Sequence, residues 1–278
     1  KGMQKRHAQR YKKPEGTDIM KGIVSFDYDM TLLDHANYQI PESAARALEG
    51  LRKNYYIVLA TGRDLDTRFS AGILEQVQPD ASIQLNGTKI KVGDELIYEH
   101  FMKRELVERL LSFAQGKPYS VGVTTGDRDY FTNPDNIVDY DKKRWGQSDR
   151  NFQDPWELPD LGVCTMTYIG EERGVRELEA AFPELKLPMF AGEWGADMIE
   201  REASKARGLE RLCVYYGIPM EKTVAFGDSM NDYEIVCAAG IGVAMGNGVE
   251  ELKQAADYVT TPIGEDGVWK ACVNLKLL

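Results

Sequence analysis

The chain has 278 residues and a mass of 31.3 kDa, about twice the usual size of one domain, so we expect one large domain or two smaller ones. Its composition, with 43% hydrophobic and 28% charged residues, excludes disordered and collagen-like chains. A net charge of −10 disfavours nucleic acid as a partner, and the absence of a long apolar run predicts that no segment spans a membrane.

The first 20 residues differ from the rest of the chain in charge. Residues 1–16 carry six lysines and arginines against the single acid Glu15, a local charge of +5 (six minus one). This segment lacks the apolar core of a secretory signal, so we expect 1–20 to be a basic arm outside the fold, either flexible or foreign to the natural protein. A targeting or anion-binding tail is the alternative.

Cysteine and histidine are too sparse to predict a metal site of their own. The four cysteines lie far apart without a CxxC pair, and there are only three histidines. We therefore predict no disulfide framework and a reducing, cytoplasmic setting. Any metal ion should be bound by oxygen ligands.

The beginning and the end of the chain alternate short apolar runs with helical patterns. Residues 22–26 (GIVSF) predict a buried strand, residues 41–52 (PESAARALEGLR) an amphipathic helix, and residues 55–60 (YYIVLA) a second strand. The same alternation returns from Ala196 onward. This order is typical of parallel strands that are connected by crossover helices.

The middle of the chain has a different pattern. Residues 89–100 (KIKVGDELIYEH) and the region around Gly126 predict glycine-centred hairpins. We therefore predict an α/β fold, in which a Rossmann-like core with a parallel sheet carries an inserted α+β domain. The predicted boundaries are 21–86 and 190–278 for the core, and 87–189 for the insertion.

Polar residues follow the predicted core strands at the points where the strands end. They are Asp27 and Asp29, Thr61 and Gly62, Asp228, and Lys205 at the start of a helix. The carboxyl ends of parallel strands meet at one edge of a sheet, and ligands bind in the crevice there. The sequence therefore predicts that these residues surround one crevice.

The residue types in this crevice predict phosphoryl transfer. Three carboxylates so close together repel one another unless a cation is present, and oxygen ligands without cysteine or histidine favour Mg²⁺. The cation attracts a phosphate group, whose remaining charge needs donors. The Lys205 ammonium, the Thr61 hydroxyl and the backbone N–H of Gly62 are candidate donors.

The same residues predict a mechanism. The motifs contain no Ser/His/Asp set, so the predicted nucleophile is a carboxylate beside the metal ion. Asp27 follows its strand directly and would attack phosphorus to form an aspartyl phosphate. Asp29 is the predicted general acid and base, which protonates the leaving alcohol and then takes a proton from water.

Four ordered motifs carry a resemblance to a known family. They are FDYDMTLLD at 26–34, ATGR at 60–63, SKARGL at 204–209 and FGDSMND at 226–232. Together they resemble the motifs of haloacid dehalogenase (HAD) superfamily phosphatases. The downstream GVAMGNG at 242–248 is similar to the Cof-type subfamily, whose large α/β cap is inserted between the second and third motifs.

The resemblance implies a HAD core with an inserted cap, and it implies roles for single residues. It implies Asp27 as nucleophile and Mg²⁺ ligand, Asp29 as acid/base and as a ligand through its backbone carbonyl, and Asp228 as a further ligand. It also implies that Thr61, Gly62, Lys205 and Asn231 bind the phosphate, and that Asp232 orients Lys205 or a water molecule beside the metal.

Two positions depart from the family pattern. The family usually has glycine where this chain has Met30, and again where it has Ala206. Met30 adds a side chain beside the phosphate loop, which affects the predicted loop conformation and the fit of the leaving group.

Several of these residues also have a plainer structural interpretation. Thr61 could cap the following helix, and Lys205 taken alone would be a solvated helix residue. Arg63 is predicted to be a structural ion-pair partner. Asn86-Gly87 is either a plain turn or a hinge between core and cap.

We predict a Mg²⁺-dependent phosphatase that acts on a small phosphorylated metabolite, a sugar phosphate, in the cytoplasm as a monomer or homodimer. One alternative is a phosphosugar mutase, which returns the phosphoryl group to a sugar hydroxyl. An alternative of another class is a regulatory module that accepts phosphate on Asp27 without turnover. The second acid, Asp29, and the large insertion argue against that module.

Overall fold

The computed structural model describes residues 20–190 and 194–278. The predicted basic arm, 1–20, therefore lies outside the described residues except for Met20. Within the described part of the chain, the strands are β1 (Gly22–Phe26), β2 (Tyr55–Ala60), β3 (Ala81–Gln84), β4 (Lys89–Val92), β5 (Glu95–Glu99), β6 (Ser120–Thr125), β7 (Arg128–Phe131), β8 (Phe152–Gln153), β9 (Met166–Ile169), β10 (Leu185–Lys186), β11 (Ala196–Glu200), β12 (Thr223–Gly227), β13 (Ile241–Ala244) and β14 (Tyr258–Val259).

Ten α-helices accompany these strands in the described residues. They are α1 (Glu42–Leu51), α2 (Ile73–Val77), α3 (Arg104–Ala114), α4 (Pro134–Trp145), α5 (Leu158–Leu161), α6 (Glu172–Ala181), α7 (Lys205–Tyr216), α8 (Tyr233–Ala238), α9 (Glu250–Ala255) and α10 (Gly267–Asn274). Across the same residues, no helix is both long enough and apolar enough to cross a lipid bilayer.

The strands form two sheets. The large sheet has the order β14-β13-β12-β1-β2-β3-β4-β5, in which the neighbours from β14 to β3 are parallel and the last two pairings are antiparallel. The second sheet has the order β10-β11-β9-β6-β7-β8 and is mostly antiparallel. A parallel α/β core with an inserted α+β unit confirms the predicted fold class.

The large sheet is covered on both faces, which explains why its central strands are continuous apolar runs. Along β1, Ile23 packs with α7 residues such as Leu209 on one face, whereas Val24 packs with α1 residues such as Leu48 on the other. The second sheet has a hydrophobic core of its own, formed with helices α3 and α6. Each sheet therefore supports a separate layer of helices.

The strand pairing differs from the predicted domain boundaries at both ends of the insertion. The hairpin β4–β5, which we assigned to the insertion, extends the large sheet by pairing with β3. Strand β11, which we assigned to the core, pairs with β9 in the second sheet. Alternating patterns show that a segment is a strand but do not show which sheet it joins. The domain boundaries stay a prediction, and the pairing favours a crossing after β5 and a return after β11.

The second sheet contains a buried ionic network centred on Asp129, which is 0% exposed. Its carboxylate accepts hydrogen bonds from Thr124 Oγ1 at 2.6 Å, Asn151 N at 2.7 Å and Arg150 Nη1 at 3.1 Å. Arg150 also donates to both carboxylate oxygens of the buried Asp141, at 2.7 and 2.8 Å. Removing one member of such a network leaves an uncompensated buried charge.

We expect Asp129→Ala to lower the free energy of unfolding by about 3 to 5 kcal/mol, measured by urea denaturation. The reason is that the Arg150 guanidinium loses a buried partner. As a control, Glu172→Ala removes an exposed i,i+4 ion pair with Arg176 and should change stability by less than about 0.5 kcal/mol. Equal, small effects of both substitutions would contradict the assigned role of the network.

Candidate active site

The four motif segments meet at one edge of the large sheet. Asp27 follows β1, Thr61 follows β2, and Asp228 follows β12, and these three strands are parallel neighbours. Helix α7 begins at Lys205 and packs against the same sheet. The structure therefore brings the predicted segments together, as the order of strand ends requires.

Lys205 lies at the centre of the site and is 0% exposed. Its Nζ lies 2.6 Å from Asp27 Oδ1 and 2.6 Å from Asp232 Oδ1. Burial alone would lower the pKa of Lys205, but the two carboxylates outweigh burial and raise it. The ammonium is thus held in its charged form, and the simple solvated-helix interpretation of Lys205 is wrong.

Three buried aspartates form the acid cluster, which consists of Asp27, Asp228 and Asp232. Each offers one carboxylate oxygen, and these oxygens lie within 4.8 Å of one another. Burial raises the pKa of Asp27 to about 7, although Lys205 opposes this shift. Burial, together with repulsion from Asp27 and Asp232, raises the pKa of Asp228. A cation would relieve this repulsion, so the donor set fits a hard divalent metal ion.

Asp232 has both carboxylate oxygens in use. Oδ1 accepts from Lys205, and Oδ2 accepts from the backbone N–H groups of Asp228 at 3.1 Å and Ser229 at 3.2 Å. These bonds fix the loop after β12 relative to Lys205. The geometry supports the predicted orienting role of Asp232.

The side chain of Asp29 lies apart from the acid cluster. Arg63 donates to it from Nε and Nη2, both at 2.7 Å, and His35 Nε2 lies 2.8 Å from Oδ1. Burial raises the pKa of Asp29, but the hydrogen bonds from Arg63 and His35 outweigh it and hold the pKa well below its usual range. Arg63 is thus an ion-pair partner, and in this arrangement Asp29 is held in its ionised form.

Met30 adopts the backbone conformation that the family's usual glycine would permit. Its φ is 61°, in the left-handed region, where a non-glycine residue costs about 1 to 2 kcal/mol. Its carbonyl accepts a hydrogen bond from Asn247 Nδ2 at 2.9 Å, and Asn247 Oδ1 accepts from Ile263 N at 2.8 Å. These hydrogen bonds of Asn247 hold the backbone of the Met30 loop in place. The Met30 side chain lines the cavity. Ala206 is buried and belongs to the hydrophobic core that α7 forms with the large sheet.

Three of the four predicted phosphate-binding residues line one cavity of about 390 Å³. Thr61 is buried and its Oγ1 accepts from Arg63 N at 3.1 Å, so the hydroxyl also serves as a local turn cap. Gly62 and Asn231 line the cavity together with Asp27 and Asp228. Lys205 does not line it, because it lies beneath Asp27.

Sequence reasoning missed several residues around this cavity. From the insertion, Tyr140, Arg144 and Phe190 line its outer wall. Asp197 on β11 also lines it, and burial raises the pKa of this carboxylate to about 6. The motifs gave no signal for these residues because Tyr140 and Arg144 lie on helix α4, Phe190 lies before β11 and Asp197 lies on β11, all outside the four motifs.

Comparison with known proteins identifies the class of this site. Residues 24–272 match the family model of haloacid dehalogenase-like hydrolases, and the chain belongs to this family. It is an enzyme, a HAD-like phosphatase. This confirms the family and the enzyme class that the four motifs predicted.

Particular relatives cover nearly the whole chain. YkrA of Bacillus subtilis (strain 168) is 30% identical over 262 residues, which cover 92% of this chain and 98% of YkrA. The phosphatase YitU of the same organism, named for 5-amino-6-(5-phospho-D-ribitylamino)uracil, is 26% identical over 88% of this chain and 94% of its own. The solved structure of the HAD subclass IIB sugar phosphatase BT4131 has a TM-score of 0.84 at 29% identity, and covers 92% of this chain and 100% of its own.

We expect magnesium chloride to raise the melting temperature of this protein more at pH about 8 than at pH about 5. Asp27 and Asp228 have raised pKa values, so each favours the metal-free fold only while it carries a proton, and the contribution of Asp27 is lost as pH rises through about 7. Above that pH the cation meets ionised ligands and relieves their repulsion.

Differential scanning calorimetry at both pH values measures this effect. In Asp228→Asn, which removes one charge of the acid cluster, the difference between the two pH values should shrink. An equal shift at both pH values in the unmodified protein would contradict the account.

Proposed function

We propose that this phosphatase hydrolyses a small phosphorylated metabolite, a sugar phosphate, with Mg²⁺ as cofactor and Asp27 as nucleophile. The observation that carries this proposal is the position of Asp27, whose carboxylate lies in the acid cluster, contacts the buried Lys205 at 2.6 Å and lines the cavity. A nucleophile, a cation site and phosphate donors at one cavity wall are the parts that phosphoryl transfer needs.

The residues present fit a magnesium ion. The acid cluster offers only oxygen ligands, and burial together with carboxylate repulsion raises the pKa values of Asp27 and Asp228, which favours a cation as their partner. Asp27, Asp228 and the backbone carbonyl of Asp29 would hold the ion. When bound, Mg²⁺ would neutralise charge on the phosphoryl oxygens.

In the first step, an Asp27 carboxylate oxygen attacks phosphorus while the bond to the ester oxygen breaks, which gives an aspartyl phosphate and an alcohol. In the second step, water attacks that phosphorus and releases inorganic phosphate with a free Asp27. Lys205 holds Asp27 Oδ1, which restricts the rotation of the nucleophile. Because the carboxylate is already oriented, less conformational entropy is lost when it attacks.

Asp29 is the proposed acid and base. The second step needs an ionised Asp29 that takes a proton from water, and the contacts with Arg63 and His35 keep Asp29 ionised, although its lowered pKa makes it a weaker base. The first step needs a protonated Asp29, which the contacts with Arg63 and His35 disfavour. A phosphate dianion in the cavity would compete with Asp29 for Arg63, and weakening that contact raises the pKa of Asp29 toward the value an acid needs.

The phosphate would be bound by Thr61, Gly62 and Asn231 from the cavity wall, with Lys205 supplying positive charge from beneath Asp27. The insertion closes the other side of the cavity with aromatic and cationic side chains, so it would select the leaving group. BT4131 is named a sugar phosphatase and YitU is named for a phosphorylated ribityl compound, which supports a polyhydroxylated leaving group.

Cysteine chemistry and net charge support the proposed cellular location and the proposed partners. The four cysteines are free thiols in the structure, which supports a cytoplasmic location. The net charge of −10 disfavours nucleic acid as a partner. A monomer or a homodimer stays our prediction.

We expect Asp27→Asn to lower kcat for aryl phosphate hydrolysis by more than about 10³-fold, because the amide is a poor nucleophile. EDTA should abolish turnover and Mg²⁺ should restore it. The matched control is Asp94→Asn in the exposed β4–β5 turn, which should keep full activity. Turnover that persists in Asp27→Asn, or a burst of one phosphate per chain without further turnover, would overturn the proposal.

Product analysis in the same assay, with a hexose phosphate as substrate, separates hydrolysis from phosphosugar mutation. Hydrolysis releases free inorganic phosphate and the sugar in equal amounts. A mutase would instead convert the substrate into another phosphate ester.

A further inference from the structure

A three-residue turn, Leu85–Gly87, connects β3 to β4. It packs against the loop after β2 and against the start of α7. Asn86 N donates to Thr61 O at 3.1 Å. A Cβ added at Gly87 would lie 2.0 Å from the carbonyl oxygen of Ser204, so no side chain fits between this turn and the start of α7. The turn is therefore fixed against the loop after β2 and against the helix that carries Lys205.

The side chain of Asn86 connects the two sheets. Asn86 is 1% exposed, and its Nδ2 donates to Asp197 Oδ2 at 2.8 Å while its Oδ1 accepts from Asn231 Nδ2 at 3.1 Å. Asp197 lies on β11 of the second sheet, and Asn231 lies in the loop after β12 of the large sheet. One buried amide thus bridges the insertion and the proposed phosphate site.

The chemistry of Asp197 sets the direction of this bridge. An ionised carboxylate only accepts hydrogen bonds, so the amide of Asn86 must turn its NH₂ toward Asp197 and its oxygen toward Asn231. Asn231 in turn donates through Nδ2, and its Oδ1 accepts from Ser229 Oγ at 3.2 Å. The orientation of both amides therefore depends on Asp197.

The side chains of Asp197 and Asn86 also lie close to Gly62, another proposed phosphate-binding residue. A Cβ added at Gly62 would lie 3.0 Å from Asp197 Oδ2 and 3.2 Å from Asn86 Nδ2. Within the described residues, no lysine, arginine or histidine nitrogen lies within 4.0 Å of the Asp197 carboxylate. In this part of the chain, the Asp197 carboxylate is instead held by the neutral amide of Asn86.

We propose that Asp197 and Asn86 are positioning residues that connect the insertion to the phosphate-binding wall of the cavity. Asp197 orients the amide of Asn86, and Asn86 holds Asn231 and the backbone at Gly62 in the geometry that receives the phosphate group. This inference rests on the proposed function, because Asn231 and Gly62 are phosphate ligands only under that function.

The test uses the full-length enzyme in the presence of Mg²⁺, with two readouts for each variant. Calorimetry measures the dissociation constant of inorganic phosphate, and steady-state kinetics measure kcat/KM with p-nitrophenyl phosphate. The variants are Asp197→Ala, Asp197→Asn, Asn86→Gly and the double variant D197A/N86G. Glycine is used at Asn86 because φ there is 54°, a conformation that alanine would strain.

We expect Asp197→Ala and Asn86→Gly each to weaken phosphate binding and lower kcat/KM by about tenfold. Asp197→Asn keeps an oxygen that accepts from Asn86, so it should stay within about threefold of the unmodified enzyme. If Asp197 acts through Asn86, the double variant should lose no more phosphate affinity and no more kcat/KM than the single variant that loses more. The control is Glu200→Gln on the same strand, whose carboxylate contacts His100 outside the cavity.

Unchanged phosphate affinity in Asp197→Ala, or multiplied effects in the double variant, would overturn the inference. If that result comes with normal turnover in the unmodified enzyme and its loss in Asp27→Asn, the proposed function stands and the positioning role alone fails. If the unmodified enzyme neither binds phosphate nor turns over, the proposed function fails and this inference fails with it.

Discussion

The buried ammonium of Lys205 is the interaction on which the rest of the site depends. A lysine without solvent contact is costly unless carboxylates surround it, and Asp27 and Asp232 do so at 2.6 Å each. These three residues come from the end of β1, the start of α7 and the loop after β12. The ion pairs that compensate this one buried charge therefore hold three segments together that are distant in the sequence.

The same arrangement leaves the site with an excess of negative charge. Lys205 compensates part of the charge of Asp27, but Asp228 remains beside it with a raised pKa. Buried carboxylates that repel one another destabilise the fold, and a bound metal cation would offset this cost. Met30 adds a second local cost, because a left-handed backbone at this position would suit glycine better. Both costs lie where the chemistry is proposed to occur.

Sequence patterns predicted the core well because local and global preferences agree there. Strands β1 and β2 have the predicted limits, three of the four motifs lie at the ends of neighbouring parallel strands, and the fourth opens helix α7. After β2 the sequence pattern predicts a helix near residues 65–77, but only Ile73–Val77 is α-helical in the structure. Upstream, Asp66 pairs with Lys89 and Lys91 of β4, a tertiary contact that the helical pattern could not reveal.

The parts that sequence could not supply depend on contacts between distant segments. Asn86-Gly87 has the composition of an ordinary turn, and only the positions of Asp197 and Asn231 show that its amide bridges two sheets. Likewise, the ordering of Asp29 by His35 and Arg63 is a property of folded loops. The identity of a site residue was thus predictable, whereas its protonation and orientation were not.

Trapping the covalent intermediate tests the central claim most directly. The enzyme would be mixed with Mg²⁺ and a turned-over phosphate ester, quenched within the first turnover and treated with hydroxylamine, which converts an acyl phosphate into a stable hydroxamate. Fragment mass spectrometry of the peptide that contains Asp27 and Asp29 then locates the modification. The account predicts a hydroxamate at Asp27 alone. A hydroxamate at another residue, or none while turnover proceeds, would contradict it.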